Sequence, residues 1–185
     1  MEFTKSLIKG KLIKRYKRFF VDVELKDKTI TAHCPNTGSM IGLLDKGNDV
    51  YLLPNDNPKR KLKYSLEIIK ARKNLVGVNT HMANKIVKHA LKNNLIKELK
   101  NNNSVKPEVF FNKETRFDFL IDKDNSKSFL EVKNLPSLPA KGESLTCIII
   151  WTVGSSTLRD GRASTFSKSH RVSEIFGALT PVTAI

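Results

Sequence analysis

The chain carries two cysteines in 185 residues, Cys34 and Cys147. So few, so far apart, exclude a disulfide framework and a cysteine-rich zinc site, and they agree with a reducing compartment. Long apolar runs are missing too. Cys147-Ile148-Ile149-Ile150-Trp151 is far below the ~20 residues that a membrane helix needs, so no membrane partner is expected. Met1-Glu2-Phe3-Thr4-Lys5 lacks the basic start and apolar run of a secretory signal, and the expected location is the cytoplasm. No P-loop, dinucleotide fingerprint or zincin motif occurs, which excludes the chemistry built on those motifs. Negative charge is scarce: 18 Asp and Glu stand against 33 Lys and Arg, a net charge of +15.

A surplus of that size suits a polyanion, because phosphate backbones bind basic surfaces by releasing condensed counterions. The alternative is a lysine-rich surface that binds nothing. The surplus is uneven. Residues 1–134 hold 28 Lys and Arg against 15 Asp and Glu, whereas residues 135–185 hold five against three, with 14 Ser and Thr and no Asn. This break marks residues 135–185 as an atypical tail: a separate module, a disordered extension or an end of foreign coding origin.

The first part reads as short strands. Alternation in Val21-Asp22-Val23-Glu24-Leu25 predicts one apolar and one wet face, and Lys26-Asp27-Lys28 predicts a hairpin into Thr29–His33. With strands near 7–13 and 49–53, this predicts a small OB-like β domain over 1–64. From Thr80, a candidate cap, the apolar period becomes helical through Ala83, Ile86, Val87, Ala90 and Leu91. Three strands are expected next, at 105–111, 116–121 and 128–133, the last two antiparallel, giving an α/β region over 65–134. In the tail only Cys147–Val153 reads as a short strand.

Two constellations could carry chemistry. In Arg116-Phe117-Asp118 and Leu130-Glu131-Val132-Lys133, strand alternation points Glu131 and Lys133 the same way, and pairing of the two strands brings Asp118 opposite Glu131. Two carboxylates and an ammonium at one spot suit Mg²⁺-dependent phosphodiester cleavage, with Asp118 and Glu131 as metal ligands and Lys133 facing the growing phosphoryl charge. The competing reading is a plain surface ion pair. At the amino end, Lys14-Arg15-Tyr16-Lys17-Arg18-Phe19-Phe20 mixes cations with rings, which suits phosphate contact with base stacking; the rings could instead fill core. Lys59-Arg60-Lys61 adds a cationic loop. The four histidines show no ligand spacing, and His33 and Cys34, being strand neighbours, face opposite ways and form no dyad.

Six stretches, in order, resemble the sugar fermentation stimulation (SfsA) family: Arg15–Phe19 with Asp22-Val23, His33-Cys34-Pro35-Asn36-Thr37-Gly38-Ser39-Met40, Asn57–Lys61, Gly77-Val78-Asn79-Thr80 with Ala83-Asn84, Arg116–Phe119 and Leu130–Lys133. The resemblance covers residues 1–134. It implies a mixed α+β protein with an amino-terminal OB-like β-barrel and an incomplete domain similar to PD-(D/E)xK nucleases. It also implies sequence-tolerant DNA binding and a regulatory link to sugar, chiefly maltose, metabolism, with a transcription regulator as a further partner. By that carry-over Asp118, Glu131 and Lys133 occupy nuclease-like positions, with Mg²⁺ as cofactor if DNA is cut. Arg15, Lys17, Arg18, Lys59, Arg60 and Lys61 become the expected DNA contacts. After Asn134 the family pattern stops, as a frame change or a fusion would produce.

Overall fold

A computed structural model of the chain describes residues 3–123, 126–136, 146–154 and 169–170. The chain divides into two compact units, built on Met1–His81 and Met82–Asn134. The first holds six strands: β1 (Ile8–Tyr16), β2 (Phe20–Leu25), β3 (Lys28–His33), β4 (Asp49–Pro54), β5 (Tyr64–Ala71) and β6 (Asn74–Gly77). Their order is β3-β2-β1-β4-β5-β6, and a parallel rung between His33 and Ser65 joins β3 to β5. Five strands thereby close into an OB-like barrel, with β6 hung on β5. This extends the first unit well past the expected boundary at residue 64, because β5 is a stave of the barrel.

In the barrel core Leu12, Val21, Val23, Ala32, Val50, Leu52, Leu66 and Ile69 are all buried, and a register shift between β4 and β5 lets Leu66 and Ile69, three apart, both point inward. Burying one Leu or Val side chain contributes about 1.5–3 kcal/mol. Between Leu12 and Lys14 the pairing of β1 with β2 slips by one residue. This bulge reverses the facing of everything after it on β1. Lys14 and Tyr16 turn outward opposite Asp22 and Phe20, and Arg15 turns inward opposite Val21. Gly10 sits where β2 crosses closely: a Cβ there would lie 2.5 Å from Val23 Cγ1 and 2.9 Å from the Glu24 carbonyl oxygen.

The second unit opens with α1 (His81–Lys92), which buries Ala83, Val87, Ala90 and Leu91, as the period predicts. Thr80 does not cap it in the expected way. Its hydroxyl donates to the Pro35 carbonyl at 2.9 Å, and the Asn79 side-chain oxygen accepts the His81 N–H at 3.0 Å. Strands β7 (Ser104–Phe110), β8 (Arg116–Lys123) and β9 (Ser126–Pro136) form an antiparallel meander. Phe119 and Ile121 of β8 and Leu130 of β9 join the α1 residues in a second core. The expected tail strand is present as β10 (Thr146–Gly154), and β11 (Ser169–His170) completes the sheet order β11-β10-β9-β8-β7. The remaining expectations for the tail, disorder or a foreign end, lie outside the described residues.

Candidate functional site

In the second unit the β8–β9 ladder ends at Phe119↔Leu130, both of them core residues. There the ladder opens. Asp118 Oδ2 accepts the Val132 backbone N–H at 2.7 Å, and Asp118 Oδ1 accepts from Asn84 Nδ2 on α1 at 2.8 Å. Lys133 donates to Glu131 Oε1 at 2.6 Å. The ammonium's pKa lies above its ordinary value, chiefly through that hydrogen bond, which outweighs desolvation, with the charges of Glu131 and then Asp118 adding to the rise. The three expected residues therefore share one spot, and the Lys133 side chain is 56% exposed. Asn84 is the member that residue chemistry alone does not flag. Its signal is helical phase: it lies beside Ala83 and so on the flank of the apolar stripe that packs on the sheet. Among the described residues, no group of three or more His, Cys, Asp or Glu gathers as a metal cage. Two carboxylates do match the donor set of a Mg²⁺ that keeps several waters.

The basic segments of the first unit converge on one end of the barrel. Lys17 and Arg18 form the tip between β1 and β2, both exposed and both in the left-handed region at φ 47° and 60°. The Phe19 carbonyl accepts the Cys34 N–H at 2.7 Å, which ties this tip to the end of β3. His33 pairs with Ser65, and Arg60 Nη2 donates to Ser65 Oγ at 3.4 Å, which brings the 59–61 loop to the same end. Asn57 Oδ1 accepts the Lys59 N–H at 3.0 Å and shapes this loop so that Lys59 and Lys61 stand exposed.

Arg15 is engaged within the protein. Its guanidinium is a clamp: Nε and Nη2 donate to the Arg18 carbonyl at 3.0 and 2.8 Å, Nη1 to Gly38 at 2.8 Å and Nη2 also to Asn36 at 2.5 Å. The bulge turns this side chain inward, where carbonyls at the barrel mouth need donors. Four of its fork's contacts are thus made within the protein. Cys34 is buried beside it, and burial pushes its thiol pKa up, so it is an inert core residue.

The rings of this segment lie outside the barrel core. Tyr16 and Phe20 stack with centroids 5.6 Å apart at 18°, and Lys14 Nζ sits 5.5 Å from the Tyr16 centroid. Phe19 is 46% exposed.

Two family models match in sequence: the SfsA N-terminal OB domain over residues 13–78, and the sugar fermentation stimulation protein RE domain over residues 81–141. The chain belongs to the sugar fermentation stimulation protein family. The family relative from Pelagibacter ubique, named a sugar fermentation stimulation protein homolog, is 71% identical over 135 residues, covering 73% of this chain and 58% of its own. One from Alteromonas mediterranea is 47% identical over 143 residues, 73% and 60% of the two chains. The chain therefore spans less than two thirds of the length of these relatives. A solved structure of SfsA from Pyrococcus furiosus, in complex with Ca²⁺, has a TM-score of 0.60 at 24% identity, over 72% of this chain and 56% of that one. It shares the fold. No described helix is long and apolar enough to cross a membrane.

Proposed function

We propose that this SfsA-family protein binds DNA with little regard to sequence, in the cytoplasm, through the cationic end of its barrel. One observation carries the reading: Lys17, Arg18, Lys59 and Lys61 are exposed at one end of the barrel, and among the described residues none has a carboxylate partner. Cations left unpaired are available to displace counterions from phosphates. Titrating fluorescent duplex DNA at several salt concentrations tests this. The logarithm of affinity should fall linearly with the logarithm of salt, with a slope of roughly −0.9 per neutralised phosphate, and Lys17→Ala should flatten it by about one contact. Affinity indifferent to salt overturns the mechanism. A regulatory role in sugar metabolism is supported by the relatives' names, and we extend it to maltose as part of the proposal. It predicts co-purification with a transcription regulator.

A second reading, metal-dependent cleavage, is favoured by the convergence of Asp118, Glu131, Lys133 and Asn84. Asp118 and Glu131 would hold Mg²⁺, which when bound polarises a scissile phosphate and activates water. Asn84 and the Val132 amide orient the Asp118 carboxylate, and Lys133, held charged by Glu131, faces the phosphoryl oxygens. The Ca²⁺ in the Pyrococcus protein supports a cation in a fold of this kind. Plasmid incubated with Mg²⁺ or Mn²⁺ should be cut by the wild type and spared by Asp118→Asn and Lys133→Met. Intact plasmid, or equal cutting by all three, refutes cleavage.

A further inference from the structure

We infer that the outer face of the barrel takes unpaired bases, and that the protein therefore prefers single-stranded to duplex nucleic acid. The inference rests on the DNA-binding reading above and names the strand form. Strand register puts Tyr16, Phe20, His33 and Ser65 in one continuous row across β1, β2, β3 and β5. Directly paired residues share a face, and their neighbours Val21 and Ala32 are wholly buried, so Tyr16, Phe20 and His33 lie on the outside, while Ser65 ends the row as a buried residue. Tyr16 is 36% exposed, and its stacked partner Phe20 is half-buried.

The surroundings of the row fit a strand of nucleotides. Rings offer a flat π surface that any base can cover, whatever the sequence, whereas a paired base inside a duplex presents only its edge. Cations flank the row at both ends: Lys14 and the Lys17-Arg18 tip beside Tyr16, Arg60 beside Ser65. Asp22, on the same face, is occupied internally. Its Oδ1 accepts from Tyr16 Oη at 3.2 Å and Thr31 Oγ1 at 2.8 Å, and Lys14 Nζ lies 3.8 Å from Oδ2. These bonds fix the Tyr16 ring by its hydroxyl, while the residue stays exposed to solvent. A peptide strand would instead seek an unpaired sheet edge, and β1 and β2, which carry Tyr16 and Phe20, are each paired on both sides within the barrel.

The test uses the full chain and three fluorescent probes of equal phosphate count: oligo-dT, an abasic oligonucleotide and a duplex. Oligo-dT should bind at least about ten-fold more tightly than the abasic strand, as one stacked base provides. Tyr16→Leu should abolish most of that difference while leaving the salt slope and duplex affinity in place. A melting temperature measured alongside separates lost stacking from lost folding, and the probe comparison needs no variant. Equal affinity for oligo-dT and abasic DNA overturns base stacking and leaves the charge mechanism standing. Failure to bind any of the three overturns both, and binding of proline-rich or acidic peptides in preference to DNA reassigns the face to a protein partner.

Discussion

Arg15→Ala removes four N–H···O contacts at once and leaves the carbonyls of Arg18, Asn36 and Gly38 at the barrel mouth without their donor. Hydrogen bonds from a charged donor contribute about 1.5–3 kcal/mol each when buried, but three of these contacts are exposed and two share an acceptor. A summed loss of about 2–4 kcal/mol is the reasoned figure. For a unit of this size each kcal/mol moves the melting temperature by about 4–8 °C, so a fall on the order of 10–25 °C is expected by near-ultraviolet circular dichroism. Arg15→Lys should recover little, since one ammonium cannot span three carbonyls as a planar fork does. Below its own melting temperature the alanine variant should keep the wild-type salt slope for duplex DNA. A variant that melts within about 2 °C of the wild type yet loses one phosphate's worth of slope would refute the clamp and make Arg15 a backbone contact.

Gly10→Ala should open the β1–β2 pairing, because the added methyl meets a backbone oxygen at 2.9 Å that cannot swing away; a destabilisation of about 1–3 kcal/mol in urea titration is expected. Replacing Lys17-Arg18 by Asn-Gly relieves left-handed strain of roughly 1–2 kcal/mol per residue, so the melting temperature should rise while duplex affinity falls. A rise in both would remove the tip from the binding surface. Burial, with Arg60 and His81 adding to it, holds His33 below its ordinary 6.5. The unfolded chain therefore takes up a proton there before the folded one does, and stability should decline as pH drops below about 6.5, less steeply in His33→Gln.

Period-two and helical patterns are local, and what depends on them was legible: the β2–β3 hairpin, the apolar stripe of α1, the β8–β9 pair and hence the meeting of Asp118, Glu131 and Lys133. The misread features depend on partners distant in sequence. Nothing near Leu12 announces the slipped rung that turns Arg15 inward, since a bulge is set by how β1 meets β2. Tyr64–Ala71 reads equally as the start of a second domain or as the last stave of the first, and only pairing with β4 and β3 decides. Thr80 has cap chemistry, but Pro35, 45 residues earlier, competes for its hydroxyl. Asn84 becomes visible as an Asp118 partner only when α1 lies on the sheet.

The β3–β5 junction makes the barrel a ribbon rolled up and fastened rather than a seamless tube. One rung, His33 to Ser65, joins strands that elsewhere pair over four to six rungs. Such a clasp is the first place for the cylinder to breathe, and Arg60 Nη2 reaches Ser65, the β5 half of that rung. Anything that pulls on Arg60 from outside therefore tugs at the fastening, so occupancy at the surface and the opening of the roll are mechanically joined.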